Sequence, residues 1–343
     1  MKYRRLGNSG CIVSELALGT MTFGDEADEA TSQDIMAAYR EAGGNFFDTA
    51  DVYSQGVSEE IVGRWLKANP GDAKQVVLTT KGRFPMGAGP NDLGLSRRHL
   101  RDALDASLRR LQVEHLDLYQ MHAFDALTPL EETLGFLGDA IRAGKISYYG
   151  FSNFTGWQVT KAVWLAREMG VPAPISLQPQ YNLLARGIEH EIVPACLDAG
   201  IGILPWSPLG GGWLTGKYKR DSVPTGASRL GDNPNRGMEA YGPRNEDMRT
   251  WEILGTVEKI AQDHGASMAQ VALAWLKEQP GVTSVILGAR SVTQLQDNLG
   301  AANLSLTKED HATLDAVSAP ITPDYPYGAA AIAQRHRKIE GGR

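Results

Sequence analysis

Residues 76–121, VVLTTKGRFPMGAGPNDLGLSRRHLRDALDASLRRLQVEHLDLYQM, decide the fold class because two strand signals flank a helix signal. The runs 76–81 and 116–121 are short and mainly apolar. Between them, residues 96–111 have the apolar spacing of an amphipathic helix, and Ser96 can cap it. A strand, a helix and a second strand in this order predict a βαβ unit with parallel strands.

The same alternation continues in both directions along the chain. Eight runs are predicted as strands: 16–19, 45–48, 76–81, 116–121, 147–151, 175–178, 202–205 and 284–287. Helical segments separate them, among them 32–42, 58–67, 96–111, 130–143 and 157–168. Eight strands with intervening helices favour a closed (β/α)8 barrel, the TIM barrel of the α/β class, over an open doubly wound sheet.

The ends of the chain and one long loop depart from this alternation. Two β-prone runs around residues 7–10 predict an N-terminal β-hairpin that caps the barrel. Residues 209–245 are rich in Gly, Pro, Asn and Arg and are too long for a plain connector, so we expect a functional loop. Helices are predicted at 248–264 and 268–278. We expect one barrel domain over residues 1–318 and a C-terminal tail, 319–343, that can be flexible.

Composition restricts the partners that this chain can have. Of 343 residues, 42% are hydrophobic and 22% are charged, which is enough apolar material for a sizeable core. The net charge of −6 argues against nucleic acid or an anionic membrane as a partner, so we expect a small-molecule substrate. Cys11 and Cys196 lack metal-ligand spacing, so no metal is expected. No apolar run approaches the roughly 18 residues that span a bilayer, and we expect a cytoplasmic monomer or homo-oligomer.

Polar residues at the ends of predicted strands are the first candidates for chemistry, because barrel active sites lie there. Asp48 ends NFFD, Lys81 ends VVLTTK, His122 follows LDLYQM, and Tyr53 lies in DTADVY. Taken separately, each has an ordinary structural explanation. Asp48 could cap a turn and Lys81 could be a solvated strand end. His122 could be a hydrogen-bonded polar residue and Tyr53 an aromatic residue of a loop. Together they form a group that packing alone does not require.

Over residues 3–316 the sequence resembles the aldo-keto reductase family. FFDTADVYSQGVSEEIVGRWL, TTKGR, YQMHAFD, GFSNF, LQPQYNLL, LPWSPLGGGWLTGKY and ILGARSVTQLQDN occur in family order. The catalytic tetrad of the family corresponds to Asp48, Tyr53, Lys81 and His122. The chain is similar to bacterial members and to the potassium-channel β-subunit branch, which shares the WSPL…GKY loop but lacks the tetrad histidine. His122 therefore favours catalysis.

The resemblance implies NADPH-dependent reduction of a carbonyl to an alcohol. Such a reduction needs a hydride at carbon and a proton for the developing alkoxide. Tyr53 can be the general acid if its pKa falls from about 10. The Lys81 ammonium would lower that pKa, and Asp48 would hold the lysine charged and oriented. His122 would hydrogen-bond the carbonyl oxygen.

The resemblance also assigns a cofactor site. No GxGxxG motif follows the first strand, so a Rossmann dehydrogenase is disfavoured. The nicotinamide end is expected to contact Gly19, Thr20, Met21, Asp48, Ser152, Asn153 and Gln178. Trp206 is expected to stack on the nicotinamide ring, with packing in the barrel core as the alternative.

The phosphate-bearing end of the cofactor is expected to lie on the long loop and the last strand. The pyrophosphate is expected beside Ser207, Pro208, Leu209, Gly211, Lys217 and Arg229. The adenosine end is expected at Gly288, Arg290, Gln294, Asp297 and Asn298, and Arg290 would meet the 2′-phosphate. The same stretch also predicts a helix start, with Ser291 as the cap. The substrate pocket is expected to be formed by Phe23, Tyr53, Phe84, His122, Phe124 and Trp213, with Tyr241 as a further wall residue.

Two other functions compete with carbonyl reduction. A regulatory subunit that binds the cofactor with little turnover would retain most of these motifs. A barrel aldolase would use Lys81 as a Schiff-base nucleophile, but that leaves Tyr53 and the nicotinamide-like motifs unexplained.

Overall fold

The computed structural model describes residues 1–226, 229–235 and 237–328. An antiparallel hairpin opens the chain, formed by β1 (Tyr3–Arg5) and β2 (Ile12–Ser14). Its turn lies against the barrel floor, since Asn8 N donates to Gly200 O (2.7 Å). Gly7 has a φ of 53°, and a Cβ there would come within 2.3 Å of Ile175 O. Only glycine fits this approach, and the predicted hairpin cap is confirmed.

Eight parallel strands form the barrel, and every predicted strand is present with its ends shifted by two residues at most. They are β3 (Leu16–Gly19), β4 (Phe46–Asp48), β5 (Val77–Gly82), β6 (Leu116–Met121), β7 (Ile146–Ser152), β8 (Ser176–Gln178), β9 (Gly202–Ile203) and β10 (Val285–Gly288). The sheet order is β10-β3-β4-β5-β6-β7-β8-β9. Between the two end strands, Thr283 N donates to Ile203 O (2.9 Å) and Ile286 N to Pro205 O (3.0 Å). The (β/α)8 fold is confirmed.

Helices follow the strands and cover the outside of the barrel. They are α1 (Glu29–Glu41), α2 (Val57–Ala68), α3 (Pro70–Ala73), α4 (Arg97–Leu111), α5 (Leu130–Arg142), α6 (Gly156–Glu168), α7 (Ile192–Ala199), α8 (Arg229–Asp232), α9 (Tyr241–Glu246), α10 (Met248–His264), α11 (Met268–Lys277), α12 (Val292–Leu299) and α13 (Lys308–Ser318). Ser96 caps α4 as predicted, because its Oγ accepts from His99 N. In the described part of the chain, no helix is long and apolar enough to cross a membrane.

Among the described residues, the long loop and the start of the tail contain little regular structure. A 3-10 segment, Gly210–Thr215, and the short helices α8 and α9 lie within the predicted functional loop. The predicted tail begins directly after α13, and residues 329–343 lie outside the described residues. The proposed boundary at residue 318 therefore coincides with the end of a helix, while flexibility of the tail stays a prediction.

The barrel interior contains a separate apolar cluster at its hairpin end. The cluster comprises Leu6, Val13, Ala17, Phe46, Leu118, Ile175, Leu204 and Ile286. Leu6 and Val13 come from the N-terminal segment, and the others come from the strands or the residues beside them. Because apolar side chains fill this end, polar groups are left to the opposite end, where the strands finish.

Candidate active site

Alternation along the strands places polar side chains above the apolar cluster. Phe46 and Leu118 belong to that cluster, so Asp48 and Gln120, two residues further along β4 and β6, also face the interior. Lys81 of β5 pairs in register with Gln120. Three neighbouring strands therefore bring a carboxylate, an ammonium and an amide together.

Lys81 is the centre of this polar group. Its Nζ donates to Asp48 Oδ2 (2.6 Å), to Thr49 O (2.9 Å) and to Tyr53 OH (3.2 Å). Its side chain has no exposed surface, and Asp48 is only 2% exposed. Burial alone would lower the pKa of Lys81, but the Asp48 carboxylate and the Tyr53 oxygen outweigh it and hold the pKa above its ordinary value. Lys81 is therefore a charged ammonium.

The second carboxylate oxygen of Asp48 is held by two amides. Gln178 Nε2 donates to Asp48 Oδ1 at 2.9 Å, and Gln120 Nε2 does so at 3.3 Å. These donors compensate the buried carboxylate and fix its orientation toward Lys81. Sequence reasoning missed Gln120. Strand alternation could have found it, since it lies two residues after the inward-facing Leu118.

Tyr53 begins a 3-10 turn, Tyr53–Gly56, that follows β4. Ser54 and Gln55 have φ values of 47° and 53°, and Ser54 Oγ donates to Phe23 O (2.9 Å), which anchors the turn. Burial raises the pKa of Tyr53 above its ordinary value of 10.0, and the Lys81 ammonium offsets only part of that rise. The expected lowering by Lys81 is thus present, but burial outweighs it, and the phenol keeps its proton at neutral pH.

His122 follows β6 and lies beside Tyr53. The two ring centroids are 5.8 Å apart and nearly perpendicular, and the Phe84 ring is 4.7 Å from the imidazole. Burial, together with the Lys81 and Arg83 cations, lowers the pKa of His122 well below 6.5. The ring is therefore neutral at pH 7 and has one N–H to donate.

A chain of hydrogen bonds connects Trp206 to the backbone of His122. Trp206 Nε1 donates to Asn153 Oδ1 (3.0 Å), and Asn153 Nδ2 donates to His122 O (2.9 Å). Ser152 Oγ donates to Gln178 O (2.8 Å). Trp206 is half-buried rather than enclosed in the core. Its ring is therefore held in one orientation at the edge of the site.

These side chains open into a cavity of about 550 Å³, a volume typical of small-molecule sites. The cavity wall includes every residue expected to bind the cofactor except Thr20: Gly19, Met21, Asp48, Ser152, Asn153, Gln178, Trp206, Ser207, Pro208, Leu209, Gly211, Lys217, Arg229, Gly288, Arg290, Gln294, Asp297 and Asn298. Tyr53 and His122 also line it. One continuous space therefore joins the tetrad to the end where phosphate groups are expected.

The far end of the cavity combines close backbone with concentrated positive charge. Gly211 and Gly212 have φ values of 63° and 96°, and a Cβ on Gly212 would come within 2.5 Å of the Lys217 side chain. Partial burial lowers the pKa of Lys217, and the nearby Arg290 and Arg229 guanidinium groups lower it further. Three cations and a side-chain-free backbone fit the phosphate groups of a dinucleotide.

The end of the cavity where adenosine is expected is formed by the start of α12. Ser291 Oγ accepts from Gln294 N (3.3 Å), so the predicted cap is confirmed, and Gln294 Oε1 accepts from Arg290 N (3.0 Å). Asp297 Oδ2 accepts from Ser267 Oγ (3.0 Å), which ties α12 to α11. Gln294 therefore bonds the cap and also lines the cavity, so a helix start and a cavity wall share this stretch.

Four residues expected at the site lie in the packed interior instead. Thr20 is fully buried, and its Oγ1 pairs with Ser58 Oγ (2.8 Å). Phe23 and Trp213 have no exposed surface, and Trp213 stacks on the buried Tyr241 with ring centroids 5.5 Å apart. Their aromatic surface stabilises the loops beneath the cavity, because it packs against other apolar groups rather than facing the open space.

The other two aromatic residues expected in the substrate pocket lie in the loops that follow β5 and β6. Phe84 contacts His122 through its ring. Phe124 packs edge-on against Phe154 (5.4 Å) and Trp157 (5.8 Å). Only Phe84 therefore directly contacts a tetrad side chain.

A family model described as the aldo/keto reductase family matches residues 15–319. This chain belongs to the aldo/keto reductase family. It is 38% identical over 317 residues to the uncharacterized oxidoreductase YrpG of Bacillus subtilis, covering 90% of this chain and 93% of that protein. A probable voltage-gated potassium channel subunit beta of Oryza sativa subsp. japonica is 37% identical over 306 residues (89% and 92%). The versiconal hemiacetal acetate reductase of Aspergillus parasiticus is 34% identical over 333 residues (90% and 95%).

The cavity wall also contains residues that were not expected from the sequence: Thr22, Glu26, Gly212, Thr215, Ala269, Ile286 and Leu287. Thr22 and Glu26 lie in the loop after the first barrel strand, a position where barrel sites are built, and this signal could have found them. No local signal marks Ala269, since its place at the cavity depends on how α11 packs.

Proposed function

We propose that this oxidoreductase of the aldo/keto reductase family reduces an aldehyde or ketone to an alcohol with NADPH. The observation that supports it best is the position of Lys81 Nζ, which bonds both Asp48 and the Tyr53 hydroxyl beside the neutral His122 ring. A fully buried ammonium between a carboxylate and a phenol adds nothing to packing, because burying a charge costs free energy. Such an ammonium is useful beside a proton donor, because it stabilises the anion that remains after the proton has been donated.

Each member of the tetrad has a separate role. Tyr53 is protonated at neutral pH and donates this proton to the carbonyl oxygen. The Lys81 ammonium stabilises the phenolate that remains, and Asp48 holds Lys81 charged. His122 donates its N–H to the same carbonyl oxygen and polarises it. When bound, the nicotinamide cofactor supplies the hydride that reaches the carbonyl carbon.

The cavity wall suggests how the chain holds the dinucleotide. The Trp206 ring, fixed through Asn153, would stack on the nicotinamide. Gly211 and Lys217 would hold the pyrophosphate. Arg290 would bind the 2′-phosphate that distinguishes NADPH from NADH, because a guanidinium matches phosphate oxygens in a two-point contact.

The test is NADPH oxidation in the presence of an activated aldehyde, followed by absorbance, with wild type and Tyr53→Phe compared. The variant removes only the proton donor, so turnover should fall by about 100-fold or more while NADPH affinity is kept. Tyr3→Phe is the matched control, since it removes a phenol hydroxyl from the hairpin, where Tyr3 OH bonds Gly43 O. A Tyr53→Phe enzyme with wild-type turnover would refute the acid assignment.

A second candidate is a cofactor-binding regulatory subunit with little turnover, which the potassium channel subunit relatives favour. The two functions differ in rate rather than in binding. NADPH that binds tightly but is oxidised by no carbonyl would support the regulatory subunit. Turnover that depends on Tyr53 would support the reductase.

Three substrate classes are proposed: small reactive aldehydes, sugar-derived carbonyls and bulky keto compounds such as oxidised natural toxins. One relative is named versiconal hemiacetal acetate reductase. A carbonyl panel ranked by kcat/KM separates the classes. A preference for reactive aldehydes would support a role in detoxification.

A further inference from the structure

A carboxylate lies among the cations at the phosphate end of the cavity. Glu26 lines the cavity, and its Oε2 is 3.4 Å from Arg290 Nε. The Glu26 charge also acts on Lys217, where it raises the pKa against the lowering by Arg290 and Arg229. A negative group therefore shares the space in which a 2′-phosphate would be bound.

The backbone fixes Glu26 in this place. It lies in a tight turn in which Gly24 N donates to Ala27 O (2.8 Å) and Ala27 N donates to Thr22 O (2.9 Å). Thr22 Oγ1 donates to Ala289 O (2.8 Å), directly before Arg290 in the chain. The buried Phe23 and Ala27 anchor the turn from below. These contacts place the backbone of Glu26 close to Arg290, and the Glu26 side chain adds its ion pair with the Arg290 guanidinium.

We propose that Glu26 is a specificity-determining residue that limits the preference of this site for NADPH over NADH. This inference rests on the proposed function. The Glu26 carboxylate competes with the 2′-phosphate dianion for the Arg290 guanidinium, and its negative charge repels the phosphate. The same carboxylate can accept a hydrogen bond from the 2′-hydroxyl of NADH. Removing its charge should therefore strengthen binding of the cofactor that carries the 2′-phosphate without strengthening binding of the one that carries a 2′-hydroxyl.

The test uses adenosine 2′,5′-bisphosphate and adenosine 5′-monophosphate, which differ only in the 2′-phosphate, and measures their Kd by calorimetry without any turnover. Glu26→Gln should bind the bisphosphate about three- to tenfold more tightly than wild type at low salt, with the gain shrinking as salt screens the charges. Its affinity for the monophosphate should be unchanged or weaker. Asp25→Asn is the matched control, because Asp25 is exposed on the same turn and does not line the cavity.

A double-mutant cycle checks that Glu26 acts through Arg290. In an Arg290→Ala background, Glu26→Gln should lose most of its effect on the bisphosphate. Equal affinities of wild type and Glu26→Gln for the bisphosphate, or equal gains for both nucleotides, would overturn the inference and leave the proposed function intact. If wild type binds neither nucleotide nor NADPH, the proposed function itself fails.

Discussion

The buried carboxyl group of Asp51, near the tetrad, allows a test of whether burial keeps a carboxyl protonated in the folded protein. It has no exposed surface, and its N–H donates to Lys81 O (3.1 Å). Burial and then the Glu59 carboxylate raise the pKa of Asp51 from 3.8 to about 7, against smaller opposing effects of the Val52 N–H, Arg110 and Lys81. We predict that the free energy of unfolding of Asp51→Asn, relative to that of wild type, is higher at alkaline pH than at acidic pH.

The sign follows from the order in which the two states lose the proton. As the pH rises above about 4, the unfolded carboxyl ionises first while the folded one keeps its proton, so wild type loses stability until the pH passes about 7. Three pKa units correspond to about 4 kcal/mol in total, of which roughly 2 to 3 kcal/mol falls between pH 5 and pH 8. Asparagine does not titrate, so the variant avoids this loss.

The assay is urea unfolding of wild type and Asp51→Asn at pH 5 and pH 8. The difference between the two pH values cancels any effect of the substitution that does not depend on pH, such as altered packing. Asp34→Asn, at an exposed position on α1, should keep the pH dependence of wild type. Parallel pH dependence of wild type and Asp51→Asn would show that Asp51 is ionised in the folded protein and would refute the reasoning.

Two further predictions concern charges at the site. Lys81→Met should abolish most turnover and raise the pKa of Tyr53 further, which a pH–rate profile detects. Because it leaves Asp48 buried without its cation, it should also lower the free energy of unfolding by about 3–5 kcal/mol in urea titrations. Arg290→Ala should weaken NADPH binding by roughly 10- to 150-fold in Trp206 fluorescence titrations. If Arg290→Ala loses as much affinity for NADH as for NADPH, Arg290 has a structural role and does not bind the 2′-phosphate.

The sequence by itself predicted the eight strands, the longer helices between them and the four candidate residues Asp48, Tyr53, Lys81 and His122. Strand and helix periods are local properties, so the run 116–121 indicates a strand wherever it lies in space. Asp48, Lys81 and His122 could be found because each lies at the end of such a run, and a barrel brings those ends together. Tyr53 was a candidate because it follows Asp48 closely in the chain; its position in a turn has no periodic signal, and its role as the acid came from the family motifs.

The tertiary structure alone decided which loop residues face the cavity. Phe23 and Glu26 are three residues apart in one turn, yet Phe23 is buried beneath it and Glu26 lines the cavity. That turn is oriented by the bond from Thr22 to Ala289, 267 residues further along the chain. Trp213, expected in the substrate pocket, likewise stacks on Tyr241 instead. Loop side chains follow no fixed period, so their direction is set by contacts between distant segments, which a single stretch of sequence does not contain.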